Sequence, residues 1–381
     1  MTTSIQPILQ FGTSRFLLAH VDLFVSQALD AGETGQALGG ITVVQTTTSA
    51  ASARRVAALA GGAPYPVRIR GLRDQQAVDR EVRCHAVRDA RQAHADWPGL
   101  LATIAGPVQV IVSNTADQGY RLDALDTADC ISPGGPVPRS FPAKLCVLLH
   151  HRWQHAAQTP LSLYPCELIE RNGDTLRDLV VQLAADWGLP QPFAQWLREH
   201  CVWANSLVDR IVSEALEPVG AVAEPYALWA IERQDRLVLP CRHEAIVVTD
   251  DLAHFAQLKL FLLNGGHSVL AERWLRDARP ADETVVQAMA DSAMRAELEA
   301  VWAQEILPVF DALGRGRQAL DYLDQVRERL LNPFLAHRLA DIAQNHAQKK
   351  QRRFAPLLAL AEQHGLDLPQ ARLRAALAAT D

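Results

Sequence analysis

At 381 residues, 49% hydrophobic and 21% charged, the chain has the composition of one large or two ordinary folded domains, not of a disordered segment. A formal net charge of −6 without a basic stripe argues against nucleic acid as the main partner, and no apolar run reaches the roughly 18 residues of a membrane span. The six cysteines stand singly and no HExxH or HxxEH spacing occurs, so no metal site is expected. Such free thiols, with no charged and apolar leader in MTTSIQPILQFG, point to the cytoplasm.

Taken in order, PILQF (residues 7–11) predicts a short strand ending at Gly12, followed by an amphipathic helix over about 14–29. GITVVQ (40–45) predicts a second strand and ASARRVAALA a helix after it. YPVRIRGL and EVRCHAV alternate as a two-stranded excursion, and PVQVIVSN (107–114) is a third strand of the buried type. Further strands are expected at LSLYPCEL (161–168) and within 237–250 (LVLP…EAIVVTD). Beyond Asp250 the β-branched runs stop, and Ala, Leu, Arg and Glu at helical spacing are punctuated by Pro280, Pro308, Pro333, Pro356 and Pro369. The expectation is an α/β fold: a Rossmann-like parallel-sheet domain over 1–247, then an all-helical domain over 248–381.

Three stretches carry candidate chemistry. In FGTSRF, Gly12 supplies a tight turn, and the helix after it offers N–H groups to a pyrophosphate, although Ser14 stands where the fingerprint has its second glycine. VIVSNTADQGY ends its strand with Ser113, Asn114 and Thr115 at the carboxyl edge, where open α/β sheets bind ligands. After the second strand come Gln45, Thr46, Thr47 and Thr48 rather than an acidic residue for a ribose 2′-OH, with Arg54 and Arg55 just beyond. That combination tolerates a 2′-phosphate. KLFLLNGGHS sets Lys259, Asn264 and His267 in an apolar helix. On a regular helix the asparagine and histidine fall about 140° and about 80° from the lysine, so Gly265 and Gly266 are expected to supply the break that lets them converge.

Lys-x4-Asn-x2-His, together with ANSLVDRIV (204–212), resembles the polyol-specific long-chain dehydrogenase/reductases, the mannitol dehydrogenase family. SFPAKL (140–145), PCELIERNGDTL (165–176), EPYALWAIE (224–232) and NPFLAHRLADIA (332–343) look most like its tagaturonate reductase (altronate oxidoreductase) branch. The resemblance implies a zinc-independent hydride transfer with Lys259 as general acid/base, a role that a desolvated lysine can fill. It also implies Asn264 on the developing alkoxide and His267 and Asp209 on substrate hydroxyls. Gly12, Thr13, Ser14, Phe16, Thr46, Asn114 and Thr115 are then the expected contacts to NAD, with NADP as the alternative. His337 and Lys349 match substrate positions, and a sugar-acid carboxylate would need a cation, for which Lys144, Arg171 or Lys349 qualifies. Leu168 replaces an asparagine of the mannitol enzymes, a change shared with the sugar-acid branch; Ser14 and Leu18 depart from the family's glycine turn. The implied function is oxidoreduction between a hexuronate such as tagaturonate or fructuronate and its aldonate, by a monomer. A polyol or polyol-phosphate dehydrogenase, or a ligand-binding paralogue with weak turnover, are the alternatives.

Overall fold

A computed structural model describes residues 5–32, 35–115 and 119–379; positions 116–118 of the VIVSNTADQGY stretch lie outside them. Two compact units emerge. One comprises the described chain as far as Ile69, then Arg80–Ala223 and Ala227–Leu252; the other comprises Arg70–Asp79, Glu224–Tyr226 and the chain from Ala253 on.

The first unit is built on a six-stranded, all-parallel sheet. Its strands are β1 (Ile8–Phe11), β2 (Ile41–Gln45), β5 (Val87–Gln92), β6 (Val110–Ser113), β7 (Leu161–Pro165) and β8 (Cys201–Trp203), in the order β5-β2-β1-β6-β7-β8. β1, β2, β6 and β7 are buried at every position, as expected of parallel strands covered on both faces. Between β5 and β2's neighbourhood the chain makes the excursion β3 (Tyr65–Arg73) and β4 (Gln76–Cys84). β3 joins a four-stranded sheet with β4, β10 (Val212–Ala215) and β11 (Ala221–Ala223), and a three-stranded sheet holds β9 (Ser206–Asp209), β12 (Leu228–Glu232) and β13 (Ile246–Thr249). Because the strand order runs outward from β1 in one direction and then resumes at β6 on its other side, the sheet switches direction between β1 and β6. The carboxyl ends of that pair therefore flank the crevice where such sheets take ligands.

Three expectations need correction. The helix expected over 14–29 is two: α1 (Arg15–Leu18) and α2 (Val21–Asp30). The chain breaks between them because side chains take the carbonyls at the junction: Tyr65 Oη donates to Leu18 O at 3.1 Å and Arg210 Nη1 to Ala19 O at 2.6 Å. EVRCHAV is not one strand, since β4 stops at Cys84 and β5 starts at Val87. In the 237–250 segment only β13 forms. Helices α3 (Ala50–Leu59), α4 (Trp97–Ile104), α5 (Phe141–Ala156), α6 (Asn172–Asp186) and α7 (Gln191–Glu199) complete this unit, whose core includes Phe11, Trp97, Leu148 and Phe193.

After Leu252 the chain is helical. α8 (Leu252–Leu258) runs into a π-turn over Lys259–Asn264 and on into α9 (Gly265–Arg276); then follow α10 (Val285–Ala290), α11 (Ser292–Val301), a second π-turn at Trp302–Ile306, and α12 (Leu307–Ala312). α13 (Gly316–Leu330), α14 (Leu339–Ile342), α15 (His346–Arg353), α16 (Ala355–Gln363) and α17 (Ala371–Ala378) close the unit. Two of the prolines that punctuate the sequence, Pro308 and Pro356, sit in the first turn of α12 and α16, where a missing N–H costs nothing. Thr284 and Gln287 form a capping box at α10. Phe261, Leu270, Trp302, Phe310 and Leu323 belong to the core. Among the described residues no helix is long and apolar enough to cross a membrane.

Candidate active site

In the first unit, the site is built at the β1/β6 switch. Gly12 has φ +120°, and a Cβ there would lie 2.5 Å from Asn114 O, so only glycine lets the turn pass so close to the end of β6. Ser14 caps α1 by accepting from Leu17 N at 3.3 Å and donates its hydroxyl to Asn114 Oδ1 at 3.1 Å. Serine at the second glycine position thus ties the turn to Asn114, whose Nδ2 donates to Cys166 O at 2.8 Å. Thr13 is buried, and its carbonyl accepts from Arg55 Nη1 at 3.0 Å. Phe16 stacks on His20, ring centroids 4.6 Å apart. Burial pushes His20 down to about 3, so it is neutral. Thr46 is half-buried in the loop after β2, and Thr47, Thr48 and Ser49 are exposed.

Thr115 leads to a residue that sequence reasoning passed over. Its N–H and its Oγ1 both donate to Glu167 Oε1 at 2.9 Å, while Ser113 Oγ donates to Oε2 at 3.0 Å. Glu167 is 3% exposed, and burial raises its pKa against the pull of these bonds. It locks the ends of β6 and β7 together, and the signal for it was the acidic residue inside PCELIERNGDTL. Other residues of these motifs are also architectural. Asn172 Nδ2 donates to Pro165 O, Glu167 O and Ser206 O, and Asn205 Oδ1 accepts from Gly173 N and Asp174 N. A Cβ on Gly173 would lie 2.6 Å from Ala204 C and O. Asp209 closes β9 and is buried.

Of the proposed carboxylate-binding cations, two in this unit are already engaged. Lys144 is buried on α5 and donates to Arg139 O at 2.6 Å; burial lowers it to about 8 against the pull of Asp126 and Asp123. Arg171 is exposed and pairs with Asp174 at 2.6 Å and Glu232 at 3.4 Å.

In the second unit, the π-turn does what the glycines were expected to do. Gly265 N–H reaches back five residues to Leu260 O, so residues five apart in this turn lie about one above the other instead of about 140° round the helix. Lys259 and Asn264 are such a pair, and His267 follows Asn264 by three residues on α9, so all three share a side of the helix. Lys259 and Asn264 are half-buried and His267 is 8% exposed. The turn is held from outside: Trp302 Nε1 donates to Leu262 O at 3.1 Å, and Arg353 Nη1 donates to Asn264 O at 3.0 Å. The His337 ring stands 5.1 Å from that of His267, and burial lowers the pKa of His337. Lys349 donates to Ile342 O at 2.8 Å. In the run Lys349–Arg353 only Gln351 and Arg352 are exposed. Lys350 is 2% exposed and pairs with Glu272 at 2.9 Å, and Lys349 and Arg353 are half-buried. Among the described residues no group of three or more His, Cys, Asp or Glu is arranged to hold a metal ion.

This division into a sheet with a glycine turn and a helical unit with a Lys-Asn-His face agrees with comparison to known proteins. A family model described as the mannitol dehydrogenase Rossmann domain matches residues 6–238, and one described as the mannitol dehydrogenase C-terminal domain matches 251–380. The chain belongs to the mannitol dehydrogenase family. Within that family, an altronate oxidoreductase of Klebsiella pneumoniae (strain 342) is 33% identical, the match covering 98% of this chain and 78% of the relative. An altronate oxidoreductase of Halalkalibacterium halodurans is 30% identical over 92% of this chain and 69% of its own length. Among solved structures, D-sorbitol dehydrogenase in substrate-free form superposes with a TM-score of 0.82 at 21% identity, covering 97% of this chain and 79% of that one. The Pseudomonas fluorescens mannitol 2-dehydrogenase ternary complex with NAD and D-mannitol gives 0.73 at 19%, covering 99% and 79%. These two likenesses establish the mannitol dehydrogenase fold for this chain.

Proposed function

We propose that the chain interconverts a keto-sugar acid, a hexuronate such as tagaturonate or fructuronate, and its aldonate, using NAD(H) and Lys259 as general acid/base. The observation that carries the reading is the π-turn, which sets a lysine, an asparagine and a histidine on one side of a helix; such turns concentrate at functional sites. The identity to altronate oxidoreductases supports a sugar-acid substrate. The glycine turn fits a dinucleotide: a backbone clear of any Cβ, at the sheet's switch point. Gly12, Thr13, Ser14 and Phe16, with Thr46, Asn114 and Thr115, are the residues we assign to holding it.

When bound, NADH supplies the hydride. The protein's part is to handle the oxygen. Lys259 gives its proton to the carbonyl oxygen as that oxygen becomes an alcohol, and takes it back in the reverse direction. The Asn264 amide donates to the same oxygen and stabilises the charge that develops there. His267 and Asp209 are assigned to substrate hydroxyls, with His337 beside His267 in the same role.

Steady-state rates with tagaturonate, fructuronate, fructose and fructose 6-phosphate, each with NADH and NADPH, test the proposal. A clear preference for a neutral sugar would overturn the sugar-acid assignment, and a tenfold advantage of NADPH the choice of cofactor. Lys259→Ala should lower kcat by roughly 10² to 10⁴ and Asn264→Ala by roughly 10² to 10³, with NADH affinity, read by fluorescence titration, little changed. A fully active Lys259→Ala enzyme would end the acid/base role.

A further inference from the structure

We infer that Arg353, with Lys349 beside it, forms the subsite that takes the carboxylate of the substrate and so sets the preference for an acidic over a neutral sugar. The inference rests on the sugar-acid reading above and adds a residue to it.

Arg353 ends α15. Its Nη1 donates to Asn264 O at 3.0 Å and to Ser268 Oγ at 2.8 Å, which fixes the guanidinium plane against the first turn of α9. Those two bonds use one nitrogen. The side-on edge, Nε and Nη2, has no acceptor among the described residues, and neither atom is sealed from solvent without a partner. That edge is the fork that grips a carboxylate through two parallel hydrogen bonds. Several other arginines of this unit are matched by acids: Arg273 and Arg276 by Glu297, Arg279 by Glu283, Arg327 by Glu299, Arg329 by Glu224; Arg295, Arg338 and Arg352, which have no such pair among the described residues, are exposed. Arg353 is half-buried and has no acidic partner among the described residues.

Lys349 repeats the pattern. It lies four residues before Arg353, on the same side of α15, and its one hydrogen bond goes to a backbone carbonyl, leaving two ammonium protons unused. Two like charges at this spacing destabilise a helix slightly, and partial burial makes each costlier. Burial lowers the pKa of both groups, and each charge lacks the carboxylate that would restore it. The adjacent Lys350 sets the contrast, because Glu272 takes it. A pair of half-buried cations with unused donors, one of them bonded to the backbone of Asn264, matches an anionic group carried by the molecule that Asn264 is proposed to hold.

Arg353→Met should cut kcat/KM for a ketohexuronate about 10² to 10³-fold, chiefly through KM, and change it for the corresponding neutral ketohexose by less than about threefold. Arg353→Lys, which keeps the charge but loses the fork, should recover part of the loss. Equal losses on both sugars would mean that Arg353 only holds Asn264 in place, and unchanged selectivity would mean it touches no carboxylate; either result overturns the inference. Failure of the sugar-acid reading is a separate outcome, a wild-type enzyme that turns over no ketouronate. In that event calorimetry with a six-carbon aldonate and its alditol decides. Binding of the aldonate alone, lost in Arg353→Met, sustains the subsite, and equal binding of both compounds removes it. If the methionine variant does not fold, Arg353→Lys and Lys349→Met carry the same comparisons.

Discussion

The π-turn can be tested through the residue that holds it, Trp302. The side chain is fully buried, and its indole Nε1 donates to Leu262 O at 3.1 Å, a carbonyl inside the turn. Trp302→Phe keeps an aromatic ring but removes the donor. Leu262 O keeps the bond from Gly265 N–H, so losing the indole donor costs about 0.5–1.5 kcal/mol, and the void left by the smaller ring adds about 1–3 kcal/mol. The loss of stability is therefore about 1.5–4.5 kcal/mol, readable as a shift in the urea midpoint at constant slope. Stability alone does not distinguish the reading, because any core deletion destabilises. Met289→Ala on α10, 1% exposed and in the same core, should cost a similar 2–5 kcal/mol without touching the turn. The difference should appear in turnover. Without the tryptophan, the turn can relax toward i→i+4 bonding, which carries Asn264 away from Lys259 round the helix. A displacement of an ångström at such a site costs on the order of 10² in rate.

The assay is kcat, well below both melting transitions, with the sugar acid that the wild-type protein reduces fastest. Trp302→Phe should lose at least about tenfold, and Met289→Ala should stay within about threefold of wild type. If Trp302→Phe shows the stability loss with kcat intact, the geometry of the π-turn does not matter to the reaction, and the argument from convergence of Lys259, Asn264 and His267 fails.

Two further outcomes follow from the first unit. Gly12→Ala places a Cβ 2.5 Å from Asn114 O at a φ of +120°, so NADH binding should fall at least tenfold and the melting temperature should drop; normal NADH affinity would remove Gly12 from the cofactor site. Asp22 is buried, accepts from Tyr65 Oη at 3.0 Å, and desolvation raises it to about 7. Its folded-state pKa lies above the unfolded value near 3.8, so its contribution is complete below about pH 4 and is lost as pH rises through about 7, at no more than about 1.4 kcal/mol per pH unit. The melting temperature of wild type should therefore fall more between pH 5 and 8 than that of Asp22→Asn, and parallel curves would show that the carboxyl is ionised throughout.

What the sequence disclosed depended on whether the signal was local. β1, β2, β6 and β7 were readable because strands buried on both faces are written as apolar, β-branched runs. β5 was not. Its VRDARQ is an edge strand whose charged and polar residues suit one unpaired side, and that composition reads as loop. β8 has three residues, too few for any periodicity. β9 and β12 were seen only as family motifs, because their pairing partner is each other, about twenty residues along. Glu167 likewise stood in plain view in PCELIERNGDTL. Its role depends on the ends of β6 and β7 lying side by side, which pairing decides and local sequence does not.

The Lys-Asn-His trio was named from the sequence, and the means of its convergence was not. Gly265 and Gly266 suggested a bend, but Gly265 has ordinary helical angles, φ −60° and ψ −47°, and α9 runs straight through both. Gly266 serves clearance, whereas a Cβ on Gly265 would meet only Leu260 O, at an ordinary 3.5 Å. A Cβ on Gly266 would lie 2.9 Å from Cζ2 of Trp302, so glycine there lets the indole lie against the helix and reach Leu262 O. Trp302 is 40 residues from Leu262 and Arg353 is 89 from Asn264, so the choice of i→i+5 over i→i+4 bonding is made by tertiary partners. A period count along KLFLLNGGHS assumes a single helical repeat and could only return residues pointing apart. Gly266 was the legible trace of the tryptophan, and the tryptophan's bond to Leu262 O helps to hold the extra residue in the turn.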